Sequence, residues 1–251
     1  MTTVPPAPEV SIVVPCYDER ENLRPLLAEV HAVLDPMGIA WEIIITDDAS
    51  RDGSWEEMLA LARQDPRLRV QRSRRNGGET AASWAGMLAA RGRTIITLDA
   101  DLQNDPKEIP RLLEALETCD AVCGTRVESR RAGDGPLKVA SSRIANWVRN
   151  RLSAEDISDA GCTYRAFRRE CIAGLQLFKG MHRFLPTLFR LQGYRVKEIP
   201  IGSRPRIHGR SKYGVWNRLF RSFRDLLAVR WMKDRWIKLD LEQAPDADRK
   251  S

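Results

Sequence analysis

The chain has 251 residues, of which 43% are hydrophobic, with 16 glycines and 14 prolines, a composition typical of a globular protein. This length suffices for one sizeable domain and is too short for two of ordinary size. No apolar run approaches the roughly 20 residues of a membrane-spanning helix, and residues 1–9 lack the basic start and apolar core of a signal peptide. The sequence therefore predicts a single globular domain in the cytoplasm.

The net charge of +7 conceals an uneven distribution along the chain. Residues 1–125 contain 13 lysines and arginines against 21 acidic residues, whereas residues 126–251 contain 28 against 13. Clustered carboxylates can hold a metal ion, and clustered cations can hold phosphates or an anionic membrane surface. A basic chain also suits nucleic-acid binding, but the acidic first half would repel a polyanion and no nucleic-acid motif occurs, so no nucleic-acid partner is expected.

Strand and helix patterns alternate about five times in the first half of the chain. Short apolar runs predict buried strands, and apolar residues at helical spacing predict the helices between them. This order predicts an α/β fold with a mostly parallel central sheet flanked by helices. The predicted strands are Val10–Pro15, Trp41–Thr46, Leu68–Gln71, Thr94–Leu98 and Ala121–Gly124, and the predicted helices are Glu21–Leu34, Trp55–Ala62, Thr80–Ala90 and Ile109–Glu117.

The second half of the chain is less regular and ends in a basic, amphipathic helix. That helix, Val215–Lys233, is predicted either to lie at a membrane interface or to pack on the core with a solvated basic face. Before it, helices are predicted over Lys138–Leu152 and Phe184–Leu191, strands over Thr163–Phe167 and, at an edge, Arg195–Ile201, and a basic loop over 202–214. The expected organisation is a disordered 1–9, a catalytic domain 10–213, an amphipathic membrane-proximal segment 214–238 and a flexible tail 239–251.

Acidic residues follow three of the predicted strands at the point where each strand ends. Ligands of open α/β sheets bind at the carboxyl ends of the strands, so this edge is the expected site. The acids are Asp18 and Glu19 after the first strand, Asp47 and Asp48 after the second, and Asp99 and Asp101 after the fourth.

The segment Asp99–Gln103 gives the strongest indication of a metal site. Alternate residues at a strand end point to one side, which would bring Asp99, Asp101 and Gln103 together. Three oxygen donors suit Mg²⁺ or Mn²⁺ better than zinc, and such a metal can offset charge on a departing diphosphate. The alternative is that these acids only cap the next helix, with Asp105 before Pro106 as the cap.

Seven motifs spread over roughly residues 10–230 resemble the inverting glycosyltransferases of family 2. Within that family they are most similar to the dolichol-phosphate mannosyltransferase-like branch, which includes bacterial transferases that load sugars onto undecaprenyl phosphate. The DADLQ run and the SKYG segment carry most of the specificity. The motifs are PCYDE at 15–19, DDASRDG at 47–53, NGGETA at 76–81, DADLQNDP at 99–106, GTR at 124–126, DAGC at 159–162 and HGRSKYG at 208–214.

The resemblance implies a GT-A type fold and an enzyme that transfers a sugar from GDP-mannose or a UDP-hexose to dolichyl or undecaprenyl phosphate, for cell-envelope glycan synthesis. A family 2 enzyme with a saccharide or protein acceptor is the alternative. The resemblance also implies Mg²⁺ or Mn²⁺ as cofactor and peripheral attachment to the cytoplasmic face of the membrane. A small membrane subunit is a further candidate partner.

Individual residues acquire expected roles from the same resemblance. The nucleotide-sugar would be held by Pro15, Tyr17, Glu19, Asp48 and Asp99, with Arg206 and Lys212 in a loop that closes over the phosphates. Asp99, Asp101 and Gln103 would hold the metal, and Arg126 would meet a phosphate or the sugar.

The acceptor side of the resemblance leaves alternatives open. Lys138 and Ser142 have the spacing that the family uses to hold the acceptor phosphate, and Arg143 is a second candidate for the basic residue. Asp159 would either orient the acceptor or start the turn into Gly161. The chain departs from the family pattern at three positions, with Asp18 where Asn is usual, Ala49 where Gly is usual and Glu79 where Gln is usual.

Overall fold

The computed structural model describes residues 7–127, 158–159, 161–202, 204 and 215–237. For 215–223 it describes the backbone alone. The predicted helix Lys138–Leu152, most of the basic loop 202–214 and the tail 239–251 lie outside the described residues.

Seven strands form one mixed sheet in the order β3-β2-β1-β4-β6-β5-β7. Strands β1 to β4 are parallel to one another, whereas β6 runs antiparallel to both β4 and β5, and β7 pairs in parallel with β5 at the edge. The predicted α/β class is confirmed, with one inverted strand inside the sheet. The strands are β1 (Val10–Cys16), β2 (Trp41–Asp47), β3 (Leu68–Arg72), β4 (Thr94–Thr97), β5 (Ala121–Thr125), β6 (Arg165–Arg168) and β7 (Val196–Pro200).

Six α-helices are described, and the predicted ones agree with them to within a few residues. Helix α1 shows why, since its buried Leu23, Leu26, Leu27, Val30 and Leu34 recur at the three- and four-residue spacing of one helical face. The helices are α1 (Arg20–Leu34), α2 (Ser54–Ala62), α3 (Glu79–Ala89), α4 (Ile109–Leu116), α5 (Leu185–Leu191) and α6 (Val215–Asp234).

Two apolar layers cover the two faces of the sheet. Alternation along β1 sends Ile12 and Val14 into the layer that holds α1, α2 and α4, and Val13 into the layer that holds α3, α5 and α6. Each fully buried aliphatic side chain stabilises the fold by about 1.5–3 kcal/mol. Because both faces are covered, the side chains available for chemistry are those at the strand ends.

Helix α6 is packed on one face and exposed on another. Leu226 and Val229 are buried in the second layer, and Asp225 forms an ion pair with Arg183 at 2.9 Å. On the outer side Leu227 and Trp231 are 45% and 65% exposed. Among the described residues, no helix combines the length and apolar character needed to cross a bilayer.

Candidate active site at the carboxyl edge of the sheet

Three residues in the loops after β1, β2 and β4 have a left-handed backbone although none is glycine. The φ angles of Asp18, Ala49 and Leu102 are 53°, 62° and 62°. Such conformations cost roughly 1–2 kcal/mol for an L-residue with a side chain, and they cluster at functional sites. Asn and Gly, usual in the resembled family at the first two positions, tolerate this backbone best, which gives the physical reason for that pattern.

The two acids after β2 fasten neighbouring loops. Asp47 is fully buried, forms an ion pair with Arg72 at 2.9 Å and accepts the Ser50 N–H at 3.0 Å. The Asp48 carboxylate accepts the N–H groups of Gly77 and Gly78 at 2.8 and 2.7 Å. Asp48 therefore orders the bend that leads into α3, and its contact with nucleotide stays a prediction.

The segment Asp99–Gln103, named the acidic turn below, is a turn and does not continue the strand. Strand β4 ends at Thr97, and the left-handed Leu102 bends the chain. Alternation along a strand is thus not what groups these residues. The Asp101 carboxylate accepts the Gln103 N–H at 3.1 Å, which closes the turn locally.

Asp99 is held by two neighbours that contact different parts of it. The Thr163 hydroxyl donates to Asp99 Oδ2 at 2.6 Å, and the Asp99 N–H donates to Asn104 Oδ1 at 3.2 Å. Thr163 itself is fixed from β4, because its carbonyl accepts the Thr97 hydroxyl. The carboxylate is therefore oriented from β4, from its own turn and from the chain just before β6.

Like charges meet at this turn. Burial raises the pKa of Asp99 and the neighbouring Asp101 raises it further, while the Thr163 hydrogen bond and the charges of Arg126 and Arg165 oppose the rise. Asp101 is 7% exposed. Two carboxylates that repel one another, one half-buried and one buried, are a pair whose charge a divalent cation would offset, and oxygen donors fit Mg²⁺ or Mn²⁺.

Asp105 caps the helical turn that follows it, which agrees with one of the hypotheses drawn from the sequence. Asp105 accepts the Lys107 N–H at 3.0 Å at the start of a 3₁₀ turn, Pro106–Glu108. It also binds the Arg204 guanidinium at 2.6 Å, and the Arg204 N–H donates to the Gln103 carbonyl at 3.0 Å. The beginning of the predicted basic loop is thereby fastened beside the acidic turn.

Arg126 and Asp159 form a buried ion pair at the end of β5. Arg126 Nε and N–H donate to Asp159 Oδ2 at 3.1 and 3.2 Å, and Arg126 Nη2 donates to the Gly161 carbonyl at 2.7 Å. Asp159 Oδ1 also accepts the Gly161 N–H at 3.2 Å. Asp159 thus makes the turn that the sequence suggested and orients Arg126; its action on an acceptor stays a prediction.

The remaining predicted residues divide by where they lie. Glu19 follows β1; its carboxylate accepts a hydrogen bond from Asn22 Nδ2 at 2.6 Å, and its backbone N–H donates to Ser54 Oγ at 3.1 Å. Pro15 and Tyr17 are partly exposed at the same strand end. Lys138, Ser142, Arg143, Arg206 and Lys212 lie outside the described residues, so their roles stay predictions.

Sequence reasoning missed Thr163, Arg165 and Arg204 as members of this site. Thr163 and Arg165 alternate along a predicted strand, which would have placed both on one face, but nothing in the sequence showed that this strand lies beside β4. For Arg204 only the general basicity of the loop gave a signal, since its partners Glu29 and Asp105 are distant along the chain.

A family model described as "Glycosyl transferase family 2" matches residues 11–175 of the chain. The chain belongs to this family. It is 37% identical over 227 residues to a dodecaprenyl-phosphate galacturonate synthase of Rhizobium johnstonii, covering 88% of this chain and 66% of that protein. It is 39% identical over 208 residues to an undecaprenyl-phosphate 4-deoxy-4-formamido-L-arabinose transferase of Edwardsiella ictaluri, covering 82% and 63%. The chain thus spans less than two thirds of the length of these relatives.

Solved structures share the fold at low sequence identity. A mannosyltransferase from Pyrobaculum calidifontis, in complex with GDP-Man and Mn²⁺, has a TM-score of 0.60 at 19% identity, covering 90% of this chain and 70% of that one. A glucosyl-3-phosphoglycerate synthase from Mycobacterium tuberculosis has a TM-score of 0.65 at 18% identity, covering 90% and 78%. The fold is the GT-A fold of this family, as the sequence predicted.

Proposed function

We propose that the protein transfers a sugar from a nucleoside diphosphate sugar to a polyprenyl phosphate, with inversion at the anomeric carbon. The observation that carries the proposal is the pair of like-charged, partly or fully buried carboxylates, Asp99 and Asp101, at the carboxyl edge of a family 2 domain. The relatives named above use dodecaprenyl or undecaprenyl phosphate, which supports the acceptor class.

Asp99, Asp101 and Gln103 would hold Mg²⁺ or Mn²⁺, and such a cation supplies charge neutralisation for the departing diphosphate. The hydrogen bond from Thr163 fixes the orientation of the Asp99 carboxylate before any substrate arrives. A carboxylate held in this way loses little freedom on binding its ligand, which is the basis of preorganisation.

The nucleotide would lie over Pro15, Tyr17, Glu19 and Asp48. The bend at Gly77 and Gly78 is tied to Asp48, so the floor of this pocket is fixed from two loops. Arg206 and Lys212 would close over the diphosphate, and the fastening of Arg204 to Asp105 starts that loop beside the acidic turn.

In this reaction an oxygen of the acceptor phosphate is the nucleophile. A phosphate monoester has a second pKa near about 6, so one oxygen is already anionic at neutral pH and a strong general base is unnecessary. The protein's task is to hold two polyanions near each other. Asp159 and the Gly161 carbonyl fix the orientation of Arg126, which would contact a phosphate or the sugar. Lys138, Ser142 and Arg143 would hold the acceptor phosphate.

Attachment to the cytoplasmic face of the membrane would bring the site to its lipid acceptor. Arg224, Leu227 and Trp231 are exposed and spaced three and four residues apart, so they share one face of α6. Exposed aromatic and aliphatic side chains beside arginines suit the interface of an anionic bilayer.

The decisive experiment is a donor screen with the purified protein, undecaprenyl or dolichyl phosphate, and Mn²⁺ or Mg²⁺. UDP- and GDP-sugars are supplied one at a time, and the organic phase is extracted for glycolipid. A metal-dependent glycolipid from one donor supports the proposal and names the sugar. Transfer to a saccharide or protein acceptor, with none to the lipid phosphate, would refute the acceptor class.

A further inference from the structure

Arg165 places a permanent positive charge inside the sheet. It is 1% exposed and begins β6, opposite Thr97 of β4 and Cys123 of β5. Alternation puts its side chain on the face that carries Phe167, under the second apolar layer. Because a guanidinium stays protonated in proteins, this charge cannot be relieved by losing a proton.

The guanidinium is incompletely paired. Its Nη1 donates to the His182 carbonyl at 2.7 Å, while Nε and Nη2 are buried without a hydrogen-bond partner among the described residues. An enclosed cation of this kind is unfavourable unless a nearby negative charge offsets it. The structure therefore raises the question of which group supplies the opposite charge.

Asp99 follows the end of β4, next to the point where Arg165 pairs with that strand. Thr163 and Arg165 are two residues apart, as are Thr97 and Asp99, and Thr97 pairs with Arg165 across the sheet. The Thr163 hydroxyl donates a hydrogen bond to Asp99 Oδ2 at 2.6 Å, so the Asp99 carboxylate contacts the chain two residues before Arg165. The strand register and this hydrogen bond thus bring Asp99 close to the start of β6, where Arg165 lies, and the charge of Arg165 acts on Asp99.

Arg126, whose charge also acts on Asp99, forms an ion pair with Asp159. Arg126 donates through Nε to Asp159 at 3.1 Å and through Nη2 to the Gly161 carbonyl at 2.7 Å. Burial and Asp101 raise the pKa of Asp99, whereas the Thr163 hydrogen bond and the charges of Arg126 and Arg165 lower it. Asp159 shares the charge of Arg126, and among the described residues Arg165 is another cation whose charge acts on Asp99.

We propose that Arg165 is the internal countercharge of the Asp99–Asp101 pair, a positioning residue that stabilises the metal-free site and weakens its hold on the cation. Without metal, Arg165 offsets the repulsion between the two carboxylates. With metal bound, the same charge repels the cation, which keeps the cation exchangeable. The inference rests on the proposed metal site.

The first test compares Arg165→Gln, which keeps an N–H donor for His182 but loses the charge, with Arg165→Lys, which keeps the charge. Thermal unfolding and Mn²⁺ calorimetry are measured at about pH 8, where ordinary carboxyl groups are ionised. Without metal, we expect the melting temperature of the Gln variant to lie several degrees below that of wild type. Added Mn²⁺ should raise the melting temperature of the Gln variant more than that of wild type, and the Gln variant should bind Mn²⁺ about tenfold more tightly. The Lys variant should stay close to wild type in Mn²⁺ affinity.

Equal melting losses with and without Mn²⁺, together with unchanged Mn²⁺ affinity, would overturn the inference, because a purely structural contact with His182 predicts that result. If wild type itself does not respond to Mn²⁺ or Mg²⁺, the proposed metal site is wrong. The role of Arg165 would then be judged from the metal-free protein alone.

That judgement comes from a double-mutant cycle with Asp99→Asn, which removes the charge that Arg165 is inferred to balance. The Asp99→Asn, Arg165→Gln double variant should melt above Arg165→Gln, since neither charge remains. Additive losses would overturn the inference. If Arg165→Gln alone gives no folded protein, recovery of folded protein in the double variant supports it, and failure to recover overturns it.

Discussion

The acidic residues at the amino end of the sheet and the Asp99–Asp101 pair at its carboxyl end differ in what surrounds them. At the amino end, Glu42 accepts hydrogen bonds from Ser11 (2.7 Å), Arg91 N–H (2.7 Å) and Arg69 (2.9 Å). His31 likewise joins Asp35 and Asp65. Each of these acids faces donors or cations.

At the carboxyl end, the charge of Asp101 raises the pKa of its neighbour Asp99, and the loops after β1, β2 and β4 contain three left-handed non-glycine residues. Like-charged neighbours and left-handed non-glycine residues cost free energy, and such features cluster at functional sites. The comparison therefore separates acids that maintain the structure from the pair that we propose to take part in the chemistry.

The strongest test of the comparison is Asp101→Asn, which should reduce transfer at least about 10²-fold. The melting temperature of the metal-free protein should stay the same or rise, because one of two repelling charges is removed. Glycolipid formation and thermal unfolding are measured on the same preparation. Near-normal transfer by this variant would remove Asp101 from the metal site.

The matched change at the other end is Glu42→Gln, which should cost about 2 kcal/mol of unfolding free energy because it weakens several hydrogen bonds to a buried carboxylate. Specific activity of the folded protein should be unchanged. Denaturant unfolding gives the free energy, and the donor assay gives the activity. A large loss of activity with little loss of stability would contradict the division between the two ends.

The difference in unfolding free energy between wild type and Glu42→Gln should also depend on pH. Burial raises the pKa of Glu42, but hydrogen bonds from Ser11, Arg69 and Arg91 outweigh it and hold the pKa below its usual range. The contribution of Glu42 is thus fully present above about pH 4.3, the ordinary carboxyl pKa, and is lost as the pH falls through the lowered value. The gap between wild type and Glu42→Gln should shrink in acid.

The exposed face of α6 should behave independently of both ends of the sheet. Trp231→Ser should weaken binding to phosphatidylglycerol-containing vesicles about tenfold, since it removes a large exposed apolar side chain from the proposed interface. Trp231→Phe is the control and should retain most of the binding. Vesicle sedimentation checks this, and equal binding by all three proteins would exclude Trp231 from the membrane contact.

The smallest expected effect concerns strain at the carboxyl end. Ala49→Gly should raise the unfolding free energy by about 1 kcal/mol, because glycine adopts the left-handed backbone at φ 62° without steric cost. The same substitution at the exposed, helical Ala28 should lower it by about 1 kcal/mol. Opposite signs in chemical denaturation support backbone strain at Ala49, and a loss at both positions refutes it.

The membership of the acidic turn was predictable because its residues are consecutive. A buried apolar strand followed by Asp99, Asp101 and Gln103 already indicated an oxygen-donor site at the carboxyl edge. The reason given for their proximity was wrong in detail, since Leu102 turns left-handed and the segment is a tight turn. Local sequence identifies which functional groups a loop contains, but the backbone angle at one residue decides how those groups are arranged in space.

By itself the sequence determined the α/β class, the strand and helix order, the edge that holds the acids and the family. These features depend on periodicity and on neighbouring residues, which the chain carries locally. The tertiary structure decided that β6 enters antiparallel between β4 and β5, that Thr163 therefore hydrogen-bonds Asp99, and that Asp159 orients Arg126. Such contacts join residues more than thirty positions apart, and only the packing of the sheet brings them together.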